Sequence, residues 1–303
     1  MTNQTPVKPV LFATTEFTER RMKRRVLLDQ VARKAFFFST IFSLIILGIL
    51  IYRVVVQSIG WLDFQFLTSN LSIFAEKAGI KGALIGSALL MVVVLPVTVI
   101  VGVATAVYLE EFARKGKLHS FIQTNIANLS GVPSVIFGLL GLTVFGRLFK
   151  LGSSILAGGL TLSLLVLPVV VVASQEAIRA VPGFLRDASY ALGATKWTTV
   201  WRIVLPTAMP GILTGTILAM SRAIGETAPL VVLGIPTLIM KIPSSLFDDF
   251  TALPIQIYYW TLDTVLTPEY ANLAAATIIV LMTLLFVLNS VAIIIRNKYS
   301  HKY

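Results

Sequence analysis

Cysteine is absent from this sequence, histidine occurs only at His119 and His301, and Asp, Glu, Lys and Arg together make up 13% of 303 residues. Without cysteine there are no thiolate nucleophiles, disulfides or cysteine-rich zinc sites, and two isolated histidines cannot complete a metal cluster. No cofactor or metal is therefore expected. A nucleotide loop of the form G-x4-G-K-[ST] is missing as well, because Gly193-Ala-Thr-Lys196 lacks the glycine spacing and is followed by Trp197. Any ATP used in this protein's work has to be hydrolysed by a partner. No nucleophile and base stand together near either end of the apolar runs, so an enzyme is not expected.

Apolar residues fill the space left by these absences. They make up 56% of the chain, with a mean hydropathy of +0.86, which is beyond the range of soluble domains. Set against the roughly 20 residues that cross ~30 Å of hydrocarbon, the apolar runs predict six transmembrane helices, at about 35–56, 82–108, 121–145, 155–175, 208–235 and 271–295. The expected fold class is an all-α integral membrane protein. Lys and Arg orient it: with the amino terminus inside, segments 1–34, 109–120, 176–207 and 296–303 hold 18 of the 25. The outside loops hold 5, and Arg53 and Arg222 lie within spans. That bias predicts both termini in the cytoplasm. The net charge of +11 thus reports topology beside anionic lipid, not nucleic-acid binding.

The basic cluster Arg20-Arg21-Met22-Lys23-Arg24-Arg25 precedes an apolar run too long for a signal sequence, with no small-residue cleavage pattern after it. Residues 1–34 therefore read as a cytoplasmic tail, disordered over 1–15, ahead of an uncleaved anchor. Trp61 and the Tyr258-Tyr259-Trp260 group read as aromatics of the outer interface.

Inside the fifth expected span, Ser221-Arg-Ala-Ile-Gly-Glu-Thr-Ala-Pro229 carries two opposite charges one helical turn apart, Arg222 and Glu226. A charge at the centre of a span costs roughly 2.5–3.5 kcal/mol on insertion scales, so such groups mark a pathway or a binding site by default. Gly225 and Pro229 flank the pair, and Pro229 would free the carbonyl of Gly225, making this turn the expected hinge of its helix. A guanidinium presents a planar fork suited to an oxyanion, and Glu226 can neutralise it when no anion is present. The other reading is a buried ion pair that fixes the packing of two subunits. Asn128, Ser130 and Ser134 surround Pro133 in the third span and, with Thr227, complete the candidate pathway; local helix packing is the alternative there.

The inside segment 176–207 reads as machinery. Pro182-Gly183 ends one helix, Arg186 to Leu192 suits a short amphipathic helix, Gly193 suits its C-terminal cap, and Thr195 to Val204 starts another helix. Asp187-Ala188-Ser189, three residues, Gly193, nine residues, Ile203, one residue and Leu205-Pro206 resemble the E-A-A-x3-G-x9-I-x-L-P loop of binding-protein-dependent ABC importer permeases. Asp replaces Glu and Ser replaces the second Ala, keeping an acid and a small side chain. Residues 221–230, 133–141 (Pro-Ser-Val-Ile-Phe-Gly-Leu-Leu-Gly) and 250–258 (Phe-Thr-Ala-Leu-Pro-Ile-Gln-Ile-Tyr) are similar to the phosphate-uptake permeases of that family, with likeness from about Gly82 to Ile295.

This resemblance implies the type I ABC importer permease fold in a bacterial inner membrane. It also implies a coupling helix on which Asp187, Ala188, Ser189, Leu192, Gly193 and Ala194 engage an ATPase subunit. The implied assembly is a heterodimer with a sister permease, a dimer of ATPase subunits and an extracytoplasmic phosphate-binding protein, working by alternating access. A permease for phosphonate, sulfate or molybdate is the nearest rival. An ATP-independent channel or secondary transporter is the rival of another class.

Overall fold

The computed structural model describes residues 16–236 and 242–299. Twelve α-helices follow one another: α1 (Glu16–Ser58), α2 (Phe64–Thr68), α3 (Lys81–Val107), α4 (Lys117–Leu129), α5 (Ser134–Gly141), α6 (Ile155–Arg179), α7 (Gly183–Ala191), α8 (Lys196–Thr199), α9 (Leu205–Gly225), α10 (Ala228–Leu233), α11 (Leu253–Asp263) and α12 (Tyr270–Tyr299). Three π-helical turns, Tyr108–Phe112, Leu142–Leu148 and Val200–Val204, extend α3 and α5 and join α8 to α9. The disorder expected over residues 1–15 and the end of the C-terminal tail, 300–303, lie outside the described residues.

Among the described residues, those up to Arg53 form one compact unit and those from Val54 a second. In the first, the helix begins at Glu16, so much of the expected tail is helical; no glycine or proline interrupts residues 16–47. Among the described residues, five helices are long and apolar enough to cross a bilayer, over 21–58, 81–112, 155–179, 196–225 and 270–298. A sixth span is obtained if α4 and the Ser134–Leu148 helix are taken together. That pair is bent by 102°. Thus the single span expected over 121–145 is in fact two helical pieces. Gly131 and Pro133 fall in the break, where proline biases its predecessor away from the helical region.

The core of the second unit is α6, which packs against both α3 and α9. Lipid tails are as apolar as leucine, so helices in a bilayer are held by close contact and not by burial from water. Small residues permit that contact: a methyl group added to Gly102 would stand 2.8 Å from Val170, and one added to Gly211 would stand 2.6 Å from Ala177.

One expected outside segment is buried. Phe250, Thr251, Ala252, Leu253 and Ile255 are almost fully enclosed. The Phe250 ring fills the space beside Gly158, and the Thr251 carbonyl rests on Gly86. Ser87 Oγ accepts a hydrogen bond from Leu253 N at 2.9 Å and seats the start of α11. Trp260 is likewise 3% exposed, wedged between Phe66 and Tyr270, so its role is packing and not the interfacial one expected for it.

Candidate functional site

The fifth expected span breaks at Glu226 and Thr227. Helix α9 ends at Gly225, Glu226 is extended (φ −77°, ψ 123°), and α10 starts at Ala228. Pro229 therefore lies in the first turn of a new helix, where its missing N–H leaves no bond unmade. The expected kink is a full interruption. Arg222 stands in the last turn of α9, where a cation also meets the negative end of the helix dipole.

Across this helix end, Arg222 Nε donates to Glu226 Oε1 at 3.1 Å. The Arg222 side chain is 47% exposed and that of Glu226 19%. Among the described residues neither Arg222 Nη makes a hydrogen bond, so the outer edge of the guanidinium fork is open. Ser221, one residue earlier, anchors the turn: its Oγ lies 2.6 Å from Asn289 Oδ1 on α12 and 2.8 Å from the Ile217 carbonyl. Asn289 was not legible as a partner, since 68 residues separate the two and nothing local marks them.

The second interrupted helix lies alongside. α5 packs on α10, and a methyl group added to Gly138 would stand 2.7 Å from Pro229 Cα. Ser134 begins α5 one turn before Gly138 and is half-buried; Asn128 and Ser130 are exposed at the bend, where Ser130 Oγ donates to the Ala127 carbonyl at 2.6 Å. The structure thus joins Arg222 to Glu226 directly and sets the two helix breaks on neighbouring elements. It records no direct contact from Asn128, Ser130, Ser134 or Thr227 to the pair. A cavity of about 700 Å³ between α3 and α9, lined by Val103, Val107, Tyr108, Trp197, Trp201 and Met209 among others, offers an anion almost no polar group.

Segment 176–207 folds as its spacing predicts, with α7 starting slightly earlier, at Gly183. Gly193 has φ +80°, a left-handed conformation favouring glycine. Its N–H donates to the Tyr190 carbonyl (2.9 Å) and that of Ala194 to the Ser189 carbonyl (3.1 Å), the paired bonds of a Schellman cap. Thr195 caps the next helix, its hydroxyl accepting from Thr198 N at 3.3 Å.

Asp187, Ala188 and Leu192 face outward, with Leu192 89% exposed; Phe184, absent from the expected docking set, joins them. Ser189, by contrast, is buried and shares a 2.8 Å hydrogen bond with Thr199 Oγ1. It ties α7 to α8 and does not present a side chain for docking. Arg186, on the same inward face, donates to Glu111 Oε1 from Nη2 (2.8 Å), to the Ile178 carbonyl from Nη2 (2.9 Å) and to the Val181 carbonyl from Nη1 (2.7 Å). It thereby bonds two carbonyls at and just beyond the end of α6.

Residues 98–301 match the family described as binding-protein-dependent transport system inner membrane component. The chain is 37% identical over 270 residues to the phosphate transport system permease protein PstA of Mycobacterium leprae (strain TN), covering 86% of each. It is 37% identical over 207 residues to the probable ABC transporter permease protein YqgI of Bacillus subtilis (strain 168), covering 68% of this chain and 70% of that one. Among solved structures, a bacterial ABC transporter involved in the import of the acidic polysaccharide alginate shares the fold. Its TM-score is 0.61 at 16% identity, covering 93% of this chain and 100% of that one. The MetNI methionine ABC transporter in an inward-facing conformation also shares it, with a TM-score of 0.58 at 18% identity, covering 73% of this chain and 96% of that one. The chain belongs to the family of binding-protein-dependent transport system inner membrane components.

Proposed function

We propose that this chain is a permease subunit of an ATP-driven importer that moves inorganic phosphate into the cytoplasm. The observation that carries the reading is the open guanidinium edge of Arg222 at a helix break, in a chain whose relatives include named phosphate permeases. A phosphate oxyanion can take both free Nη groups at once. Glu226 holds the arginine by Nε between visits and can accept a hydrogen bond from a protonated phosphate oxygen, which fully ionised sulfate lacks. The bent α4–α5 pair acts as one span, giving six spans with both termini in the cytoplasm.

The partners are a sister permease, a pair of ATPase subunits and an extracytoplasmic phosphate-binding protein. Phe184, Asp187, Ala188 and Leu192 form the face of α7 that seats in the ATPase subunit. ATP-driven closure of those subunits moves α7 and switches the Arg222 region between the outer face and the cytoplasm. The test is uptake of labelled phosphate by the importer reconstituted with its partners, at matched membrane levels. Arg222→Ala is expected to lower uptake by about 10- to 100-fold, the worth of one or two charge-assisted hydrogen bonds. Excess sulfate or molybdate should compete poorly. Competition by either as strong as that of phosphate overturns the substrate assignment.

A further inference from the structure

Two adjacent acids at the end of α3 reach arginines on both sides of the turn that joins α6 to α7. Glu110 and Glu111 lie in the π-helical turn Tyr108–Phe112. Glu110 takes a two-point contact from Arg179, the last residue of α6: Nε to Oε2 at 2.9 Å and Nη2 to Oε1 at 2.6 Å. Glu111, its side chain 9% exposed, takes Arg186 of α7. The wider π turn closes through Ala113 N and the Tyr108 carbonyl at 2.8 Å. Rigid α-helix runs straight to its end; a π turn is a local irregularity found at functional positions more often than elsewhere.

The network continues inward. Gln175, 1% exposed, donates through Nε2 to Glu110 Oε1 at 2.8 Å and to Gln123 Oε1 at 2.9 Å. Gln123 Nε2 returns a bond to Gln175 Oε1 at 3.1 Å. Gln123 belongs to α4, whose other end is the bend into α5, and α5 lies against Pro229 of α10. A continuous chain of bonded and packed groups therefore leads from the turn before α7, through Glu110, Gln175 and Gln123, to the break beside Arg222. Buried polar networks with every member bonded fix one register between elements, which loosely packed apolar contacts do not.

We propose that Glu110 and Gln175 are positioning residues that transmit movement of α7 to α4, and so set α5 against α10 during transport. The inference rests on the reading of α7 as the element that meets the ATPase. Physical continuity is a reason to look for coupling, and measured coupling is what establishes it. The experiment uses the fully assembled importer in proteoliposomes and reads phosphate taken up per ATP hydrolysed, so that each value is normalised to assembled complex.

Glu110→Gln and the paired replacement Gln123→Leu with Gln175→Leu are compared with wild type. The paired variant removes both polar partners together and leaves no buried amide of that pair unbonded. Both variants are expected to keep ATP hydrolysis and to lower uptake per ATP by at least about tenfold. An unchanged ratio in either variant overturns the proposal. A control, Phe184→Ala with Leu192→Ala, separates the two readings. If that control stays fully coupled, the role of α7 itself is wrong; if it uncouples while the paired variant does not, only the relay is wrong.

Discussion

Arg186 and Arg222 each face a glutamate, yet the two arginines are held in opposite ways. Arg186 is one-fifth exposed and spends Nε, Nη1 and Nη2 on Glu111 and on two carbonyls at the end of α6. Arg222 is nearly half exposed, spends Nε alone, and has a partner only four residues away. An arginine with all three of its nitrogens bonded locks the elements around it. One with an open fork can exchange its partner for an anion. The turn between α6 and α7 is thus held as a joint, whereas the break in the fifth span leaves a donor edge open, as the proposed port requires.

Stability should separate the two regions most sharply at Arg186. Arg186→Ala strands Glu111 in a buried site and uncaps α6, a change that costs about 3–5 kcal/mol when one partner of a buried pair is lost. A clear fall in the thermal midpoint of the purified complex is expected, and an unchanged midpoint would remove the joint from the account. At the port, the contact between the two interrupted helices comes next. Gly138→Val places a side chain on the Pro229 backbone, with an overpacking cost of about 1–3 kcal/mol. Its uptake should fall further than its assembled amount, and equal loss of both would make the contact merely structural.

A smaller change is expected at the loop between α7 and α8. Gly193→Ala forces a side chain into the left-handed region at about 1–2 kcal/mol, and Gly193→Pro also removes the bond to the Tyr190 carbonyl. The proline variant should assemble while losing phosphate-dependent stimulation of ATP hydrolysis; normal stimulation would contradict the role given to α7. The least thermal effect belongs to Glu226→Gln, since a half-exposed pair is worth about 0–1 kcal/mol. Its midpoint should stay near wild type while phosphate uptake drops, and a large midpoint shift would move the pair from port to joint.

Much of this arrangement was legible in the chain. Length and hydropathy located five long helices and the region of a sixth, and the spacing around Gly193 located α7, its cap and the following helix. What was hidden is what depends on residues distant in sequence. Residues 250–255 read as an outside loop because Thr251 and Pro254 look local, whereas Gly86 and Gly158, far upstream, open the space that Thr251 and Phe250 occupy. Ser189 fits a docking motif by position but turns inward because Thr199 stands ready to bond it. The 102° bend at Gly131–Pro133 reads as an ordinary proline in a span, since apolar character continues across it. Glu110, Glu111 and Gln175 lay at the rim of spans, where charged residues are common; only their pairing across 52 to 75 residues sets them apart.

The sharpest test of the port is to exchange its two charges. Arg222→Glu with Glu226→Arg preserves an ion pair at the same helix break but moves the guanidinium fork out of the last turn of α9. Labelled-phosphate uptake by the assembled importer should collapse in this double variant at normal membrane levels; full uptake would mean that the pair holds the fold together and does not meet the anion.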